Sequence, residues 1–317
     1  MRAWLASLLL LASLGAAAQA FPAKPVRLVV PFPAGGSADL IARTLGEQLS
    51  AYWAQPVLIE NKPGAGSIIA TQYVQRAPAD GYTLLVMAPS FLVNPMLQPE
   101  AKYDAAKDFA PVALVLTSPL VLVVNSSLPA RSVKELAELA RSSPGRFSFA
   151  TVGPATTQQM IGEMLRMEAG IDWVYAPYPG GAPAVTALLG GHVSAVIGNY
   201  SEVSQQVAAG KLRALAVGSR ERLEVLKDVP TLTELGYVAI DGTIWFGIVA
   251  PAGTPRETIQ RLQADIGRAL QVPAVREKLV AQGLFAPEGS SETFGEFLAG
   301  QARKYERIIK DAGIKSN

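Results

Sequence analysis

Apolar residues in this chain come in short runs, separated by polar stretches rich in glycine, and the runs switch between two periods. Leu28, Val29 and Val30 are consecutive and rich in β-branched side chains, as in a strand covered on both faces. Gly35 and Gly36 follow, then Ser37, a good N-cap; Leu40, Ile41, Thr44, Leu45 and Leu49 recur at helical spacing. The alternation continues with a strand at 56–60, a helix at 68–76 and, after the turn at Asp80 and Gly81, a strand at 82–87. This β-α-β-α-β order predicts a parallel sheet with helices on both faces. Two further apolar strands are predicted at 109–116 and 120–124.

The pattern then restarts. Helices at 132–141, 158–169 and 183–189 alternate with strands at 147–150, 173–175, 193–197 and 212–217. An apolar strand at 245–250 returns the chain to the first unit, and amphipathic helices at 256–271 and 293–312 close it. The fold class is therefore α/β, with a second lobe built like the first. No Pro/Gly/Ser-rich linker marks a boundary, so the lobes should share crossing strands near 121–126 and 244–251. The expected division is 21–123 with 247–317 as one lobe and 124–246 as the other.

The first residues read differently. A positive start at Arg2, an apolar core over 5–18 and the A-x-A sequence at 18–20 describe an export signal with cleavage after Ala20. The protein is therefore expected to be exported. A formal charge of +2, falling to about +1 without Arg2, argues against nucleic acid as a partner. With no cysteine there is neither a disulfide framework nor a sulfur-ligated metal. His192 is the one histidine, placed at a helix end where a structural role is the plain reading. No nucleophile elbow, phosphate loop, dinucleotide fingerprint or zinc-protease motif occurs. Positive signs of catalysis are lacking, so an enzyme is not expected.

Four loops follow the carboxyl ends of predicted strands, where open α/β sheets bind ligands. The first offers Phe32, Ala34, Gly35, Gly36, Ser37 and Asp39, and the second Ser90 and Phe91 within 88–94. The third offers Thr151, Gly153, Thr156 and Thr157, and the fourth Tyr178, Gly180 and Gly181. Asn199 and Tyr200 follow another strand and either reach the cleft or close a turn. These loops supply backbone N–H groups, hydroxyls and aromatic faces with almost no lysine or arginine, an inventory suited to a small carboxylate. Each glycine or hydroxyl also serves an ordinary turn or cap. Asp39 either braces its own loop and helix dipole or meets a ligand directly.

Six motifs then occur together in order: PFPAGGSAD (31–39), ENKPGAG (60–66), PADGYTL (78–84), YPGGAPA (178–184), DVPT (228–231) and WFGIVAPAGTP (245–255). On these the chain resembles the Bug family, the periplasmic receptors of tripartite tricarboxylate transporters. The resemblance implies a two-lobed, type II periplasmic-binding-protein fold that closes on an organic acid. It assigns carboxylate binding to Gly35, Gly36 and Ser37, answered from the other lobe by Gly153, Thr156 and Thr157. It implies membrane permease subunits as partners, a monomer, and neither cofactor nor metal. Phe91, Pro179, Ser194 and Gly198 depart from the family pattern toward less polar side chains, which argues against an amino-acid or highly charged tricarboxylate ligand and, within the expected class of mono-, di- or aromatic carboxylates, for a less polar monocarboxylate or an aromatic acid. The rival expectations are a receptor feeding a signalling partner, and an exported hydrolase or lyase.

Overall fold

A computed structural model of the protein describes residues 21–153, 156–237, 242–286 and 293–311. The expected signal segment, 1–20, lies outside the described residues, as does Ala312 at the end of the last expected helix. Strand β1 (Val26–Val30) lies between β2 (Val57–Asn61) and β3 (Thr83–Met87), parallel to both. Its residues Leu28, Val29 and Val30 are fully buried, which is why the strand reads as an unbroken apolar run. Helix α1 (Ser37–Trp53) joins β1 to β2, and α2 (Ile68–Gln75) joins β2 to β3. In α1, Ile41, Leu45, Leu49 and Trp53 form one buried stripe at a spacing of four.

The expected strands at 109–116 and 120–124 are one strand, β4 (Phe109–Asn125). Up to Pro119 it pairs antiparallel with β9 (Thr243–Pro251), which also pairs with β3. From Leu120 it pairs with β7 (Ala195–Asn199) and, from Val121, with β8 (Leu212–Val217). Pro119 does not break the strand because it stands where the partners change, so its missing N–H costs little there. Lobe 1 thus orders its strands β2-β1-β3-β9-β4, and lobe 2 continues through β7, β5 (Ser148–Thr151) and β6 (Val174–Pro177).

Helices cover both faces of each sheet. In lobe 1, α1 and α8 (Arg256–Leu270) pack on one face, and α3 (Ser90–Leu97) and α10 (Phe294–Asp311) lie on the other with α2. In lobe 2 the helices are α4 (Val133–Ser142), α5 (Thr157–Glu168), α6 (Gly181–Leu189) and α7 (Tyr200–Ala208). One buried cluster runs along β4 from the face of lobe 1 into lobe 2, so the core is continuous through the crossing. Trp245 is lobe packing: its ring meets Phe297 edge-on at 5.4 Å. Helix α3 occupies part of the expected loop 88–94. Helices α7 and α9 (Pro273–Val280) add short elements that the apolar periodicity did not mark.

Candidate functional site

The loop after β1 is held from beneath. Gly35 takes a positive φ of 85°, open to glycine at little cost, and its N–H donates to Asp39 Oδ2 at 3.0 Å. The Asp39 carboxylate also accepts from Asn61 Nδ2 (2.9 Å) and Arg43 Nε (2.9 Å). Burial opposes its ionisation, yet the bonds from Arg43, Gly35 and Asn61 outweigh that and hold the carboxyl below its usual range. Asp39 is therefore bound into the loop's own framework. Replacing it by asparagine should cost about 2 kcal/mol, since a hydrogen-bonded charge is lost. The sign with pH follows from its lowered value. The stabilisation is present above the ordinary 3.8 and is lost as pH falls through the folded value. Chemical denaturation across acidic pH should show the gap between wild type and Asp39→Asn closing on acidification.

Five helices begin at the cleft between the lobes. Its lining includes Gly36 and Ser37 at the start of α1, Ser90 of α3, Thr156 and Thr157 of α5, Gly181 of α6 and Asn199 before α7. Helix starts carry unpaired N–H groups and a positive dipole end, and here they point at one space. Among the described residues the lining contains no lysine, arginine or histidine. His192 is exposed, past the far end of α6. Thr157 Oγ1 is buried without a hydrogen-bond partner although the residue lines the cleft, and Asn199 at the same cleft caps α7 through its side chain. A buried polar atom left unpaired costs free energy that a ligand can return.

The lobes touch across this space. Ser37 Oγ lies 2.6 Å from Ser201 Oγ, and Ser37 N–H donates to Glu202 Oε1 at 3.3 Å. A Cβ built on Gly180 would lie 2.7 Å from Cδ of Pro33 on the opposite lobe. The cleft holds ≈ 510 Å³ of empty space, part of it open to solvent, and these contacts across it hold the lobes together.

The structure separates the expected residues into two groups. Phe32, Gly36, Ser37, Ser90, Thr156, Thr157, Gly181 and Asn199 line the cleft. Phe91 does not: it is 1 % exposed and stacks on Tyr103 in the lobe 1 core, because one helical step from Ser90 turns it away from the cleft. Thr151 and Gly153 bond each other within their turn, and Tyr178 packs on the lobe 2 core. Ala34 and Gly35 are exposed on the loop's outer side, while Gly180 makes the contact with Pro33. Ser194 lies at the far end of β7, accepting from Ser148 N–H at 3.1 Å. The departures at Phe91 and Ser194 therefore carry no weight for the ligand's polarity.

Sequence reasoning missed Ile244 and Phe246, which reach the cleft from the crossing strand, and above all Glu202. The Asn199-x-x-Glu202 spacing is that of a helix capping box, and Glu202 Oε2 accepts from Asn199 N–H at 3.2 Å. That local signal places the residue at a helix start without showing what faces it.

Known proteins share this fold. Residues 41–314 match the model of the tripartite tricarboxylate transporter family receptor. BugT of Bordetella pertussis is 36% identical over 300 residues, covering 94% of this chain and 92% of BugT. The structure of the periplasmic binding protein BugD superposes with a TM-score of 0.89 at 33% identity, over 94% of this chain and 100% of that one. Rpa4515 of R. palustris, solved with adipate, superposes with a TM-score of 0.88 at 32% identity, over 93% of this chain and 99% of that one. These are binding proteins, and the two-lobed α/β architecture is theirs. The chain belongs to the Bug family of tripartite tricarboxylate transporter receptors.

Proposed function

We propose that this protein is a periplasmic receptor that binds a small organic carboxylate between its lobes and delivers it, as a monomer, to the permease of a tripartite transporter. The observation that carries the reading is that, among the described residues, five helix starts converge on a cleft with no basic side chain. Such a site holds an anion through N–H groups and hydroxyls, as helix N-termini do elsewhere. Gly36, Ser37, Thr156 and Thr157 are the proposed clamp, with the unpartnered hydroxyl of Thr157 completing the ligand's hydrogen bonds. The adipate in Rpa4515 supports a carboxylate as the ligand class. Phe32, Pro33, Val152, Ile244 and Phe246 give the cleft an apolar wall, which favours an acid with a hydrocarbon or aromatic body. The lobes hinge where the strands exchange partners, at Pro119–Leu120 and at Gly242–Thr243. Function then needs different affinities in the open and closed states, and no bond chemistry. Among the described residues no helix is long and apolar enough to cross a membrane.

Calorimetric titration with adipate, malate, benzoate and acetate tests the reading. The expected result is saturable binding of at least one of them, with compaction of the protein in solution scattering. Absence of binding to every acid overturns it.

A further inference from the structure

Among the described residues Glu202 is the one ionisable side chain lining the cleft. It projects from α7 of lobe 2 to the start of α1 in lobe 1, and its Oε1 accepts from Ser37 N–H and Ser37 Oγ–H, each at 3.3 Å. Its Oε2 accepts from Asn199 N–H at 3.2 Å, and the carboxylate packs against Gly181, where a Cβ would collide with it. These donors are the ones an incoming carboxylate would use. Among the described residues lining the cleft no cation answers the acid. The loop beneath it carries Asp39 and Arg43, which are bonded to each other. α6 brings only Gly181, Ala182 and Pro183, while Tyr200 on its own helix packs against Gly283 on the other side. Burial pushes the Glu202 carboxyl above its ordinary value, against the bonds from Asn199 and Ser37 that favour the anion.

Resting on the carboxylate reading, we propose that Glu202 is a specificity-determining residue. It stands in for a ligand carboxylate at the start of α1 and yields those donors only when protonated, so that each acid is bound together with one proton. Two carboxylates sharing one set of donors cannot both stay ionised at close range, so one takes up a proton from solvent. The ligand anion then keeps the N–H of Ser37, and the neutral Glu202 can donate its O–H to the ligand. Proton and ligand favour each other by the same factor, whichever binds first. An anion that cannot accept a hydrogen bond from Glu202 is rejected by the same side chain.

The test compares wild type with Glu202→Gln, using adipate and benzoate as probes, by calorimetry from about pH 5 to about pH 7.5. In wild type the affinity should fall by up to about tenfold per pH unit as pH rises above the Glu202 value, the slope of one coupled proton. Glu202→Gln should bind at least about tenfold tighter at the alkaline end and lose most of the slope. Wild-type titrations in buffers of different ionisation enthalpy read the proton directly, without any variant. Uptake of up to one proton per acid is expected. Binding without proton uptake, or equal affinities with equal slopes in the two proteins, overturns the role of Glu202 and leaves the carboxylate reading standing. Failure of both proteins to bind either acid or any other carboxylate withdraws the reading itself, and the role of Glu202 falls with it.

Discussion

Replacing Gly180 by leucine should weaken carboxylate binding by at least about 100-fold, equivalent to about 2.7 kcal/mol, while both lobes remain folded. Gly180 precedes α6 with φ 175°, extended backbone that any residue adopts, so the substitution strains nothing locally. The obstacle lies across the cleft. A Cβ at this position would stand 2.7 Å from Cδ and 3.1 Å from Cγ of Pro33, and the proline ring cannot rotate out of the way. The clash exists only when the lobes meet, so the substitution acts on the closed state alone. A receptor whose competent state is rarely populated loses apparent affinity in proportion. Titration with the acid that wild type binds, together with solution scattering, separates the outcomes. The expected variant is folded and stays expanded in the presence of ligand. Affinity equal to wild type would mean that the ligand is held without the contact between Gly180 and Pro33.

Much of the architecture was legible because buried parallel strands write themselves as unbroken apolar runs, such as Leu28-Val29-Val30, and amphipathic helices repeat every three to four residues. The continuity of β4 was not. Pro119 looks like a stop in the sequence, and only the change of partner at that point makes it harmless. Helix α3 was hidden for a similar reason, since it is a single short element with Pro95 inside it. Phe91 was misplaced because a loop gives no rule for direction, whereas a helix turns adjacent residues by about 100° and sends Ser90 and Phe91 opposite ways. Glu202 illustrates the deeper limit. Its partner Ser37 is 165 positions away, and no local period records a contact made by folding two lobes together. The donors at the start of α1 were readable. What already occupies them was not.

Gly218→Ala should destabilise the protein by about 1–3 kcal/mol, the usual cost of overpacking, and should also shift the balance between open and closed lobes. Gly218 follows β8 and Gly242 precedes β9, on either side of the point where β4 changes partners. Their backbones close a small ring of bonds around Leu120. Leu120 N–H donates to Gly242 O (2.8 Å), Gly218 N–H to Leu120 O (2.7 Å) and Gly242 N–H to Gly218 O (2.9 Å). A Cβ on Gly218 would meet Gly242 Cα at 2.7 Å and its carbonyl oxygen at 2.8 Å. Both are backbone atoms, so no rotamer change relieves the contact and a strand must move. The movement would fall on the segment that joins the lobes, which is why stability and ligand-induced closure should change together. Gly267→Ala is the control. It lies inside α8 with nothing within 4 Å of the added Cβ, so it should leave stability unchanged or raise it by up to about 1 kcal/mol. Denaturant unfolding of both variants, with scattering in the presence and absence of ligand, distinguishes a hinge from mere crowding. Loss of stability in Gly218→Ala with unaltered closure would place the hinge elsewhere along β4 and β9.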